Sequence, residues 1–156
     1  MNWEAIGAIG EIVGAIAVVV TLGYLALQIR QNTNALRGSA HETATGRISN
    51  FAISVGSNPV AAKVYHSGLT EPEKLDAEQW GQFTLLITAV FGGIETTYWQ
   101  QKRGNVDAQI WERWHSILRE LVAQAGVQRW WETGHMAFTA EFTELVESEL
   151  GTHRAS

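Results

Sequence analysis

Ile12–Leu27 reads IVGAIAVVVTLGYLAL, sixteen consecutive residues without a charge or a side-chain amide. Extended to Ala5–Ile29, the run covers 25 residues interrupted only by Glu11 and Gln28, and no proline breaks it. A helix of this length reaches about 37 Å, more than the roughly 30 Å of a hydrocarbon layer. The segment Val18–Val19–Val20–Thr21 suits a strand in water, but a strand facing lipid leaves backbone groups unpaired, whereas a helix satisfies them internally. The run therefore reads as a single transmembrane helix. The alternative is a central helix buried in a bundle, or a helix that associates with itself. A cleaved signal peptide fits poorly, because Glu4 and Glu11 stand where a basic leader segment belongs.

Gly7, Glu11, Gly14 and Val18 share one side of this helix, and Gly10 with Gly14 forms one GxxxG step. Small residues on one face let a second helix approach closely, so Gly7, Gly10, Glu11, Gly14 and Val18 are the candidate association face. Glu11 is also the candidate mouth residue of a small oligomeric channel. No Lys or Arg precedes the span, while Arg30, Arg37 and Arg47 follow it. The positive-inside rule then places the C-terminal domain in the cytoplasm.

The remainder reads as unequal helices. A polar extension over Arg30–Leu36 is expected to break near Gly38–Ser39, and Ile48, Phe51, Ala52 and Val55 form the next apolar stripe. Gly56–Pro59 is a stop and restart, with Pro59 suited to a first helical turn, and Gly68–Leu75 reads as a loop. A long helix over Asp76–Lys102 carries Trp80, Phe83, Ile87, Phe91, Ile94 and Tyr98 at helical spacing. Its Gly92–Gly93 pair either bends it or admits a close neighbour. Asn105 or Asp107 caps a helix carrying Ile110, Trp114, Leu118 and Val122, which Ala125–Gly126 ends. A short helix over Val127–Glu132 holds Trp130–Trp131. The last helix, Thr139–Leu150, has Phe138, Phe142, Leu145 and Val146 as its stripe. No segment alternates at period two. The expected fold is all-α: residues 1–37 a transmembrane helix and its extension, 38–150 a small irregular helical bundle, and 151–156 a frayed tail.

Composition narrows function mainly by exclusion. Sixteen acidic against 11 basic residues give a formal net charge of -5, which argues against nucleic acid as a partner. The chain has no cysteine, so thiolate chemistry and disulfides are out. Two Glu-x-x-His units, Glu112–His115 and Glu132–His135, are weak metal candidates, because paired units of this kind build di-iron sites in helical bundles. Gly134 interrupts the second unit, and Trp111 and Trp114 beside the first suit ordinary packing. No G-x-S-x-G, G-x-G-x-x-G or P-loop pattern occurs, and no catalytic residue or cofactor is expected. Adjacent Trp130 and Trp131 cannot both point inward from a regular helix, which makes the pair a candidate partner surface.

WEAIGAIGEIVGAIAVVVTLGYLALQIRQNT at the N-terminus, WERW at 111–114, the Trp130–Trp131 pair and the spacing of Phe138 and Phe142 together resemble a group of small uncharacterised proteobacterial proteins. The resemblance implies an N-terminal helix in the bacterial inner membrane and a cytoplasmic helical domain, and it carries no activity. The expectation is a membrane-anchored, non-catalytic interaction protein. Its expected partners are the lipid bilayer and either further copies of itself or a membrane-protein partner. A membrane-active effector or channel is the first alternative, and a helical enzyme or metal protein the second.

Overall fold

A computed structural model describes residues 3–154, with side chains described at 11, 14, 16–32, 46 and 49–153. Six α-helices and two short 3₁₀ turns make up the described residues, and none of these is in a strand. The helices are α1 (Trp3–Gly56), α2 (Pro59–Thr70), α3 (Ala77–Lys102), α4 (Ala108–Val122), α5 (Ala125–Gly134) and α6 (Ala140–Arg154). The chain divides into two units, Met1–Ser39 and Ala40–Ser156. The first part of α1 belongs to the former and its last turns to the latter.

The expected transmembrane span requires correction. Among the described residues, no helix is long and apolar enough to cross a membrane. The uncharged run of the sequence ends at Leu27. Gln28, Arg30, Gln31 and Asn32 follow it directly. The single-pass inner-membrane topology with a cytoplasmic domain, the lipid bilayer as partner, and the anchoring and channel roles all rested on that span. They are withdrawn with it. Within α1, Thr21 satisfies its hydroxyl locally by donating to the Ala17 carbonyl at 2.7 Å. Val19, Val20, Leu22 and Leu27 are exposed.

Local chemistry sets the helix boundaries of the second unit. The Asn58 side chain accepts from the Val60 and Ala61 amides at 3.0 and 3.2 Å, and Pro59 follows where its missing N–H is harmless. Asp76 and Gln79 form a reciprocal capping box at the start of α3. Asp107 accepts from the Gln109 amide at 2.8 Å to open α4. After α3 the chain turns through Gly104, whose φ of 70° lies in the left-handed region that glycine enters without a Cβ penalty. The start of α6 takes its cap from another helix: the Glu95 carboxylate on α3 accepts from both the amide and the hydroxyl of Thr139, at 2.8 and 2.7 Å.

Four boundaries differ from the sequence reading. The break expected at Gly38–Ser39 is helical backbone, continuous with the rest of α1. Gly68 is helical, and the expected loop after it shortens to a 3₁₀ turn at Pro72–Lys74. Ala125–Gly126 starts α5 rather than ending α4, because Gly126 is where α5 meets α2. A Cβ on Gly126 would lie 1.6 Å from the Gly68 carbonyl oxygen. The tail expected to fray from 151 remains helical to Arg154.

α3 forms the spine of the core, with α2, α4 and α5 packed against it and α6 against α4. Phe83, Ile87, Phe91 and Ile94 are fully buried along one stripe of α3. They meet Leu118 and Val122 of α4, Val127 and Trp130 of α5, and Phe142 and Val146 of α6. Every residue of this core cluster lies between Val64 and Leu150. A chain beginning at Ala40 should therefore keep the melting temperature of the full-length protein to within roughly 2 °C, measured by circular dichroism. A loss several times larger would mean that residues 1–39 contribute to the core's stability.

Candidate functional site

Residues that the sequence groups as metal candidates are dispersed. The Glu112 carboxylate, exposed on α4, accepts from the Arg119 guanidinium at 3.1 Å. His115 donates from Nε2 to Glu149 on α6 at 2.8 Å, and its ring stacks on Trp111 with centroids 5.3 Å apart. Glu132 is exposed, and His135 donates from Nδ1 to the Trp131 carbonyl at 2.9 Å. Each histidine thus serves a separate structural contact. Among the described residues no group of three or more His, Cys, Asp or Glu side chains is placed to hold a metal.

The association-face residues lie on α1. Glu11 and Val18 are exposed, and a Cβ on Gly14 would meet nothing within 4 Å. The surroundings of Gly7 and Gly10 lie outside the described residues. Trp130 and Trp131 are both interior, 1 % and 5 % exposed, and present no surface. The short helix α5 has α2, α3 and α4 around it, so neighbouring positions on it can both be covered. Their rings contact Phe91 at 4.9 and 5.5 Å, and Trp131 stacks on Phe138 at 5.6 Å. Their indole N–H groups have no hydrogen-bond partner among the described residues. The Trp130 Nε1 lies beside Gly134, where an added Cβ would come within 2.8 Å of it.

On the surface between α3 and α6, Lys102 donates to Glu141 at 2.8 Å, and the Tyr98 hydroxyl approaches the same carboxylate at 3.4 Å. The hydrogen bond from Lys102, reinforced by its charge, holds the Glu141 carboxyl below the usual carboxylate range. The same contact raises the Lys102 ammonium. Both groups are exposed, so water and salt screen this pair and its role is peripheral.

A cavity of about 570 Å³ opens in the second unit, on the side of α3 that carries Gly92 and Gly93. Val90 and the two glycines supply its α3 wall, and Trp114, Ile117 and Leu121 its α4 wall. Phe51 from the last turns of α1 and Tyr65 from α2 complete it. Two successive glycines inside a helix cost about 1 kcal/mol each relative to alanine. Here the backbone they bare borders open space. A Cβ on Gly92 would meet nothing within 4 Å, and one on Gly93 would come only to 3.7 Å of the Trp114 ring. The carbonyls of both glycines also accept side-chain hydrogen bonds, from Thr96 at 2.7 Å and Thr97 at 3.0 Å. Among the described residues, no charged side chain lines the cavity. Phe51 and Tyr65 brace each other edge to face, 5.5 Å between centroids at 71°, and Tyr65 leans on Phe83 at 6.4 Å. Burial raises the Tyr65 hydroxyl above the ordinary phenol value, so it stays protonated across the physiological range.

The sequence flags only part of this site. It marks Gly92–Gly93 as unusual but suggests a bend or a neighbouring helix, where the fold leaves room. Phe51, Tyr65 and Ile117 read as ordinary helical residues, and nothing in their spacing assigns them to a common cavity.

No family model, no curated protein sequence and no solved structure matches the chain. The resemblance to small proteobacterial membrane proteins is therefore corrected. It finds no support in these comparisons, and the span on which it turned is not found among the described residues.

Proposed function

We propose that the domain formed by residues 40–156 is a binding module for a small uncharged molecule, and that it acts by binding rather than by catalysis. The observation that carries this reading is the cavity of about 570 Å³ at Gly92–Gly93 with no charge in its lining. Its size falls among small-molecule sites, which span roughly 300–1,000 Å³. A charged ligand would lose its hydration there without gaining a counter-ion, a cost of several kcal/mol. The lining also supplies no carboxylate, imidazole or amine to move a proton, which favours binding over chemistry.

The test is a titration of the full-length protein with 1-aminoanthracene, an uncharged fluorescent ring. Saturable one-to-one binding is expected. Gly92→Leu places a side chain into the open space beside Gly92 and should weaken that binding at least tenfold, about 1.4 kcal/mol. The helix should be preserved, since leucine has the higher helical propensity. Binding that is unsaturable, or equal in the variant and the parent, would refute the proposal. The exposed apolar side chains of α1 could take up the dye non-specifically, and the Gly92→Leu comparison separates that uptake from binding in the cavity.

A further inference from the structure

Tyr65 stands out within the cavity for what its hydroxyl does not do. Among the described residues it has no hydrogen-bond partner. The carbonyls of the two wall glycines are already engaged: Gly92 accepts from Thr96 and Gly93 from Thr97. The Trp114 ring turns its Cη2 and Cζ3 edge toward Gly93. The phenol ring of Tyr65 is held between Phe51 and Phe83, so its oxygen has little freedom to seek a partner elsewhere. A half-buried hydroxyl without a protein partner forfeits part of its hydration, and a ligand that supplies the missing bond recovers it. Aromatic side chains on three helices, Phe51, Tyr65 and Trp114, favour a ring over a flexible chain, because ring edges and faces pack at defined offsets.

Resting on the binding reading above, we infer that Tyr65 selects a neutral aromatic ring bearing one hydrogen-bonding oxygen, a simple phenol. The ring lies against Gly92–Gly93 and the Trp114 edge, and its oxygen pairs with the Tyr65 hydroxyl. No covalent step is involved.

The experiment compares 4-ethylphenol with ethylbenzene, matched rings that differ by one oxygen, as competitors of 1-aminoanthracene on the full-length protein. Tyr65→Phe keeps the ring and its packing and removes only the hydroxyl. The variant should bind 4-ethylphenol about fivefold more weakly than the parent, within the range expected of one neutral hydrogen bond, and ethylbenzene equally well. Equal melting temperatures of variant and parent confirm that the ring is still seated. An unchanged affinity for 4-ethylphenol, or an equal loss for both compounds, overturns the selectivity while leaving the binding module standing. Failure of the dye and both competitors to bind the parent overturns the binding module, and this inference with it.

Discussion

Gly126→Ala is expected to lower the stability of the helical domain by about 3 kcal/mol or more. The added Cβ would stand 1.6 Å from the Gly68 carbonyl oxygen, 2.7 Å from its carbon and 3.2 Å from the Leu69 oxygen. These are backbone atoms, so no rotamer change relieves the overlap. α2 and α5 must part by roughly 1–2 Å, and the contacts of buried Val64 and Val127 loosen with them. The melting temperature should fall by roughly 10 °C or more. Gly81→Ala is the matched control. It lies in α3 with nothing within 4 Å of the new methyl group, so the gain in helix propensity should raise stability by about 1 kcal/mol. Urea denaturation followed by tryptophan fluorescence measures both. A Gly126→Ala midpoint equal to the parent's would mean that the two helices are not in the contact described.

Phe91→Ala should cost about 3–5 kcal/mol, as expected for deletion of a fully buried ring. Phe91 has no exposed surface and sits where α3 meets α5 and the start of α6. Its ring lies 4.9 Å from Trp130, 5.5 Å from Trp131 and 6.2 Å from Phe138. Removing it leaves a void among rigid rings that cannot easily collapse, which places the cost toward the upper end of that range. Phe91→Leu, which keeps most of the volume, should cost less than half as much. Near-ultraviolet circular dichroism should also change, because the neighbouring indoles lose the ring that fixes their orientation. An unfolding free energy within 1 kcal/mol of the parent's would place Phe91 outside the core.

The α3 stripe was readable in the sequence because its information is local. Phe83, Ile87, Phe91, Ile94 and Tyr98 recur every three or four residues, and all are buried. Asp107 was readable as a candidate cap beside Asn105, since a capping side chain bonds amides two or three positions ahead. Trp80, on the same stripe, is only half-buried: it packs on Phe83 at 5.4 Å and takes the Arg129 guanidinium over its ring at 4.5 Å. That contact joins positions far apart in the chain and leaves no periodic trace. The same holds for the Glu95 cap on Thr139 and the His115–Glu149 bond, whose partners are 44 and 34 residues apart.

The first unit shows the opposite error. The uncharged run Ile12–Leu27 was the strongest signal in the sequence, and it correctly marked helix. Its assignment to a membrane, however, used composition to decide surroundings. Among the described residues no helix is long and apolar enough to cross a membrane.

The amino-acid sequence alone therefore determined the all-α class, the cap of α4 to one of two residues, and the buried face of α3, because each depends on residues within a turn or two of one another. Tertiary structure alone decided that Gly126 opens α5 against the backbone of α2, that Trp130 and Trp131 are both interior, and that Gly92–Gly93 borders a cavity. A cavity belongs to no element. Phe51, Tyr65, Gly92 and Trp114 sit on four different helices, and the space between them exists only once those helices have packed.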